Sequence, residues 1–299
     1  MARAVIVGID GSPESLAAAR WAATESVLRS VPLHLVHAWE WSPAPSASVP
    51  TSETQRHWAG RILRTAVEQL RSSHAGLRPT HEQISDSPVA ALLAAAEDAE
   101  VLVLGSRGLS GMAGFVTGSV ALRVVAHAPR PVALVRSEGH TGAHSSPDVL
   151  RPTGAPHSSD VVAGIDLTHS CDEVIEFAFE AALVRGVGLH VVHGYTLPSS
   201  YAIAAGGGTL IDDSGLVRER EYALSTVLEP WREKSPDVAV RASSVSGQAV
   251  AHLVEAAADA PMLVIGRRER TSPLGMHLGS VAHGVIHHAA CPVAVVPHA

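Results

Sequence analysis

The residues best suited to chemistry in this chain run from Gly105 to Ser119, as Gly105-Ser106-Arg107-Gly108-Leu109-Ser110-Gly111-Met112-Ala113-Gly114-Phe115-Val116-Thr117-Gly118-Ser119. An apolar run, Val101-Leu102-Val103-Leu104, precedes them and a helical pattern follows. Glycines in such a loop let backbone N–H groups turn toward an anion without obstruction by Cβ. A helix starting at Gly118-Ser119 adds unpaired N–H groups and the positive end of its dipole, and Ser119 adds a hydroxyl donor. The chemistry implied is a phosphate cradle in which backbone dipoles, Arg107 or a metal ion balance the charge. Lysine takes no part, because the single lysine, Lys234, lies far from any glycine-rich segment. That excludes P-loop and Schiff-base mechanisms.

Other reactive residue types are less well placed. Asp10, in Gly8-Ile9-Asp10-Gly11-Ser12, stands at the end of an apolar run, where a carboxylate can line a ligand crevice or cap the next helix. That pentapeptide lacks the order of a nucleophile elbow, and no Ser-His-Asp set can be assigned. His283 and His287, four apart and followed by His288, could put two ligands on one helix face, but no third ligand is evident and no metal site is assigned. The expectation is exposed or half-buried histidines near a helix end. Trp58, Ile62 and Leu63 are expected in the core, as are Cys171 and Cys291, whose separation suits a reducing compartment.

The elements that must carry these residues occur twice. Val7-Gly8-Ile9-Asp10-Gly11-Ser12 recurs as Ala163-Gly164-Ile165-Asp166-Leu167-Thr168, an offset of 156, and Leu33-His34-Leu35-Val36-His37-Ala38 recurs as Leu189-His190-Val191-Val192-His193-Gly194 at the same offset. At an offset of 161, Gly105 pairs with Gly266, Gly118-Ser119-Val120-Ala121 with Gly279-Ser280-Val281-Ala282, and Pro131-Val132-Ala133-Leu134-Val135 with Pro292-Val293-Ala294-Val295-Val296. A period this long is a duplicated domain. The expected division is 1–137 and 159–299, joined by a linker over 138–158 rich in Gly, Pro, Ser and His.

Within each copy, short continuous apolar runs alternate with helical patterns, as strands buried on both faces of a parallel sheet require. The fold expected is α/β: two tandem, open, mostly parallel five-stranded sheets flanked by helices, Rossmann-like and packed as a pseudo-dimer through their terminal strands. Ligands of such sheets bind beyond the carboxyl ends of the strands, which gathers Asp10, His37 and Gly105 on one edge.

Composition narrows the partners. With 299 residues, 46% hydrophobic, 17% charged and a net charge of −7, the chain reads as folded and offers no basic field for nucleic acid. No apolar run reaches the roughly 20 residues of a membrane helix. With no export signal legible after Met1-Ala2-Arg3, the expected location is cytoplasmic.

The spacing of Gly105, Gly108 and Gly118-Ser119, together with the repeated blocks above, resembles the universal stress protein family over nearly the whole of both copies. The resemblance implies an ATP-binding regulatory stress-response protein, with Mg²⁺ left open, in which nucleotide shifts conformation or partner affinity and hydrolysis is at most slow and incidental. It implies Gly8 and Asp10 beside the adenosine and the main chain of Val36, His37 and Ala38 on the adenine edge. Gly105, Ser106, Arg107, Gly108, Leu109, Ser110 and Gly111, with Gly118, Ser119 and Val120, would then wrap ribose and phosphates. The resemblance also implies dimerisation through the last strand, here within one chain or as a homodimer. In the second copy the matching residues are Gly164, Asp166, Val192, Gly266, Arg267, Arg268, Gly279, Ser280 and Val281. Glu269 replaces the glycine at position 108, and its carboxylate repels phosphate unless Arg267, Arg268 or Arg270 compensates. Two other readings stay open, an enzyme that hydrolyses ATP slowly or adenylates a substrate, and an interaction module without nucleotide.

Overall fold

The computed structural model describes residues 3–40, 52–106, 119–137, 159–196, 214–269 and 278–299. The linker and the loop residues Arg107, Gly108, Leu109, Ser110, Gly111 and Gly118 lie outside the described residues, as does the side chain of Ser119. The chain divides into two compact units, Met1–Asp148 and Val149–Ala299.

The first unit runs β1 (Ala4–Gly8), α1 (Pro13–Arg29), β2 (Leu33–Trp39), α2 (Ser52–Ser73), β3 (Thr80–Ser85), α3 (Pro88–Glu97), β4 (Ala99–Ser106), α4 (Ser119–His127) and β5 (Val132–Arg136). Its strands lie in the order β3-β2-β1-β4-β5, and every pairing is parallel. Val5, Val7, Leu35, Val101 and Val103 are fully buried, as strands covered on both faces must be. The polar strand Thr-His-Glu-Gln-Ile-Ser of β3 has no apolar signature because it forms one edge of this sheet, and its residues are exposed or half-exposed.

The second unit repeats this plan with β6 (Val161–Gly164), α5 (Asp172–Arg185), β7 (Leu189–Tyr195), α6 (Ser214–Lys234), β8 (Val240–Ser246), α7 (Ala249–Ala256), β9 (Leu263–Arg268), α8 (Ser280–His288) and β10 (Val293–His298). The order is β8-β7-β6-β9-β10, again all parallel. In each unit the chain leaves the first strand toward one side and later crosses to the other. The carboxyl ends of β1 and β4, and of β6 and β9, therefore flank a crevice of the kind where ligands of open α/β sheets bind.

Local chemistry sets the helix that borders each crevice. Ser12 accepts from the Ser15 amide at 3.2 Å, Pro13 opens α1, and Ser30 closes it in the left-handed region at φ 55°. In α5 the N-cap position holds Cys171, whose side chain makes no cap bond, and Gly186 closes the helix at φ 63°. Leu63 is buried as expected, but Trp58 is 54% exposed, with the Arg61 guanidinium 4.2 Å from its ring centre. The periodicity of α2 placed Trp58 correctly on a helix and wrongly in the core, because an indole can remain at the surface under a cation.

The two copies use one histidine position differently. His34 meets Thr80 Oγ1 at 2.8 Å and lies 3.7 Å from Glu82, whereas its counterpart His190 is buried, accepts from Arg241 at 3.0 Å and donates to Ser243 at 2.9 Å. Burial and the Arg241 guanidinium together pull the His190 imidazole down to about 4, against a weaker opposing pull from Asp160. The unfolded chain takes up that proton near pH 6.5 and the folded chain only near 4. Stability is thus retained above about pH 6.5 and lost as pH falls toward 4, by on the order of 2–3 kcal/mol. Urea unfolding across this range should show a slope that His190→Gln reduces, and an equal slope in both proteins would contradict the assignment.

Candidate functional site

In the first unit a cavity of about 390 Å³ opens at the ends of β1 and β4, within the usual range for small-molecule sites. Six of the expected residues line it: Gly8, Asp10, Val36, Ala38, Gly105 and Val120. Its floor is apolar, formed by Leu92 and Leu104, which the sequence reading did not single out. A Cβ on Gly8 would stand 2.8 Å from Leu104 and 3.0 Å from Leu92, so glycine keeps that floor open.

Asp10 is held by its neighbours. Ser12 donates to its Oδ1 from the amide at 2.9 Å and from the hydroxyl at 2.5 Å. The capping role falls to Ser12, while the carboxylate of Asp10 braces that cap and lines the cavity. The side chain of His37 donates from Nδ1 to the Ile9 carbonyl at 2.6 Å and fixes the path by which the chain leaves β1. The Val36 carbonyl accepts from Ile9 at 2.8 Å, and Ser106 is buried.

Gly105 has a packing reason beyond anion access. A Cβ there would come within 2.6 Å of the Glu14 carbonyl carbon and 2.7 Å of the Ser15 amide nitrogen, so β4 abuts the first turn of α1 directly.

The second unit has a matching cavity of about 410 Å³, lined by all nine residues expected of it, from Gly164, Asp166 and Val192 through Gly266, Arg267 and Arg268 to Gly279, Ser280 and Val281. Leu253 and Ile265 replace Leu92 and Leu104 as the floor. Thr168 donates to Asp166 from its amide at 3.0 Å and its hydroxyl at 2.8 Å, repeating the Asp10 turn. His193 Nδ1 donates to the Ile165 carbonyl at 3.1 Å, repeating His37. Burial raises the Asp166 pKa, but these bonds and nearby His169 outweigh it and hold the carboxyl below its usual value.

The rims differ. Pocket-lining Glu14 of the first copy corresponds to Ser170, and the second cavity brings in His169, Arg267, Arg268 and His298. Arg268 donates from Nη1 to His169 Nε2, and His169 Nδ1 lies 3.4 Å from Asp166 Oδ2, so guanidinium, imidazole and carboxylate form one chain across the mouth. Arg267 Nη2 stands 3.8 Å from Glu269 Oε1. Burial draws the Arg267 pKa down and Glu269 partly restores it. Arg267 thus puts a cation close to Glu269. Sequence spacing alone did not reveal His169 or His298; aligning the copies at their offsets would have flagged both as departures, from Pro13 and Ser137.

Cys171 also lines this second cavity. Burial pushes its thiol up to about 11, aided by the carboxylates of Asp172, Asp166 and Glu173. At pH 7.5 the folded chain should alkylate there about 100-fold more slowly than an ordinary thiol, because only the thiolate reacts. Mass spectrometry of natively treated and denatured protein checks this, and rapid native modification of Cys171 would contradict it.

The sequence pattern of the Universal stress protein family matches residues 1–136 and 158–297. The chain belongs to this family. It is similar to Universal stress protein Rv2005c of Mycobacterium tuberculosis, 33% identical over 298 residues that cover 97% of this chain and 96% of that protein. Universal stress protein Rv2623 of the same organism is 31% identical over 299 residues, covering 97% and 95%. Among solved structures, a universal stress protein from Archaeoglobus fulgidus DSM 4304 matches all of both chains with a TM-score of 0.69 at 17% identity, a likeness of fold. The two family matches coincide with the two repeats, so each cavity sits within its own universal stress domain.

Proposed function

We propose that both cavities bind an adenine nucleotide, with ATP in the first, and that occupancy tunes the conformation or partner affinity of a regulatory stress-response protein. The observation that carries this reading is the duplicated crevice, with a glycine-opened apolar floor beside a carboxylate pinned at the end of the first strand. The floor suits a flat base, the carboxylate can accept from ribose hydroxyls, and the helix start at Ser119 or Ser280 directs N–H groups to the phosphate end. In the second unit Arg268 and His169 add a guanidinium and an imidazole to the lining. The reading gives bound ATP a signalling role, with turnover slow.

Protein purified without added nucleotide, denatured and analysed by mass spectrometry should release about two adenine nucleotides per chain, with the triphosphate intact after prolonged incubation. Release of none would sink the proposal and favour an interaction module. Rapid conversion to diphosphate or adenylate would favour an enzyme.

A further inference from the structure

On α8, His283 and His287 bring their Nε2 atoms to 3.3 Å, with ring centres 4.4 Å apart and planes inclined at 52°. His283 is exposed and His287 half-buried. Residues four apart on a helix lie one above the other, which explains why the rings are neighbours. It does not by itself set which nitrogens meet, and here both are Nε2. Two imidazole nitrogens bound at about 2.0–2.1 Å to a tetrahedral ion stand roughly 3.3–3.4 Å apart, and the observed spacing matches. We propose that His283 and His287 form a two-histidine site for a divalent transition-metal ion of the zinc or copper class, with water completing the coordination.

The alternative is that these histidines merely complement the helix dipole. Cationic side chains are favoured in the last turn, where His287 and His288 sit. His283 lies in the first half of α8, where the same dipole opposes positive charge, so the dipole does not account for it. A metal ion uses neutral imidazoles. In the ion-free pair one Nε2–H donates to the other Nε2; binding needs both Nε2 lone pairs, so that hydrogen moves to Nδ1 of its own ring through solvent and no net proton is released. Imidazole pairs suit zinc, copper and nickel, whereas magnesium and calcium prefer oxygen ligands. Among the described residues no group of three or more His, Cys, Asp or Glu side chains comes together to hold a metal, so the described residues supply two ligands here. The site is peculiar to the second unit, because the first copy has Leu122 and Ala126 at these two positions. It does not line the second cavity, although the same helix lends that cavity Ser280 and Val281.

The test titrates the full chain with Zn²⁺ or Cu²⁺ alone, in competition with a chromogenic chelator and in a non-coordinating buffer. His283→Leu and His287→Ala carry the residues that the first copy already accommodates, and His288→Ala serves as the control for scattered surface histidines. One ion per chain is expected to be lost in each of the first two variants, with affinity falling at least about tenfold as the second ligand is removed. His288→Ala should keep it, and excess Mg²⁺ should not displace it. Unchanged uptake in His283→Leu and His287→Ala, an equal loss in His288→Ala, or displacement by Mg²⁺ would each overturn the site.

Discussion

Arg29→Met is expected to destabilise the first unit by about 3–5 kcal/mol, the usual effect of removing one partner from a buried ion pair. Arg29 Nε lies 2.6 Å from Glu25 Oε1, and the two side chains are 5% and 1% exposed. A second carboxylate, Glu100, stands 3.7 Å from Arg29 Nη1 at 29% exposure. Taking away the guanidinium leaves the Glu25 carboxylate inside without the cation beside it, whereas Glu25→Leu with Arg29→Met removes both charges and should recover most of the loss. Urea unfolding of the three proteins measures this. A single-variant cost below about 1 kcal/mol would mean that the pair behaves as a surface salt bridge. The effect bears on the site because this pair anchors the C-terminal end of α1, whose first turn walls the first cavity with Glu14 and Ser15.

Gly105→Val should empty the first cavity and leave the second loaded, so that nucleotide content falls from about two to about one per chain. The new Cβ would press on three backbone atoms, Glu14 C and O and Ser15 N, at 2.6–2.8 Å. Backbone at a capped helix start yields little, and overpacking of this kind costs about 1–3 kcal/mol in stability as well. Gly266→Val is the informative contrast. Its Cβ would meet the His298 ring at 2.7 Å and Val174 at 3.1 Å, both side chains, which can shift where backbone cannot. Calorimetric stoichiometry for both variants checks the pair of expectations, and full nucleotide content in Gly105→Val would show that ligand and cavity are unrelated.

Much of this arrangement was legible in the chain. Residues that sit where two strands part, Asp10 and Gly105, and their repeats Asp166 and Gly266, could be found because parallel strands buried on both faces leave continuous apolar runs that end at the site. Ser12 and Pro13 marked the start of α1 by ordinary capping chemistry. What stayed hidden depends on distance in space. Nothing near Thr80–Ser85 announces a strand, because its partners lie 46 residues away in β2 and its outer edge faces water. Leu92 reads as one more apolar residue of an alanine-rich helix until the fold sets it under Gly8. Arg268 and His169 are 99 residues apart, and only the juxtaposition of β9 with the start of α5 makes them partners.

The paired histidine contacts have a genealogical meaning. His37 to the Ile9 carbonyl, and His193 to the Ile165 carbonyl, are the same latch in two places, as are the turns Ser12 to Asp10 and Thr168 to Asp166. A device held in both halves of a duplicated gene descends most simply from the single-copy ancestor, which already fixed its first strand in this way. The two halves differ at Pro13 and His169, at Glu14 and Ser170 and at Ser106 and Arg267, and in each pair one residue lines its own cavity. Both halves have thus kept the strand-end latch and the apolar floor beneath it, while residues around them have diverged.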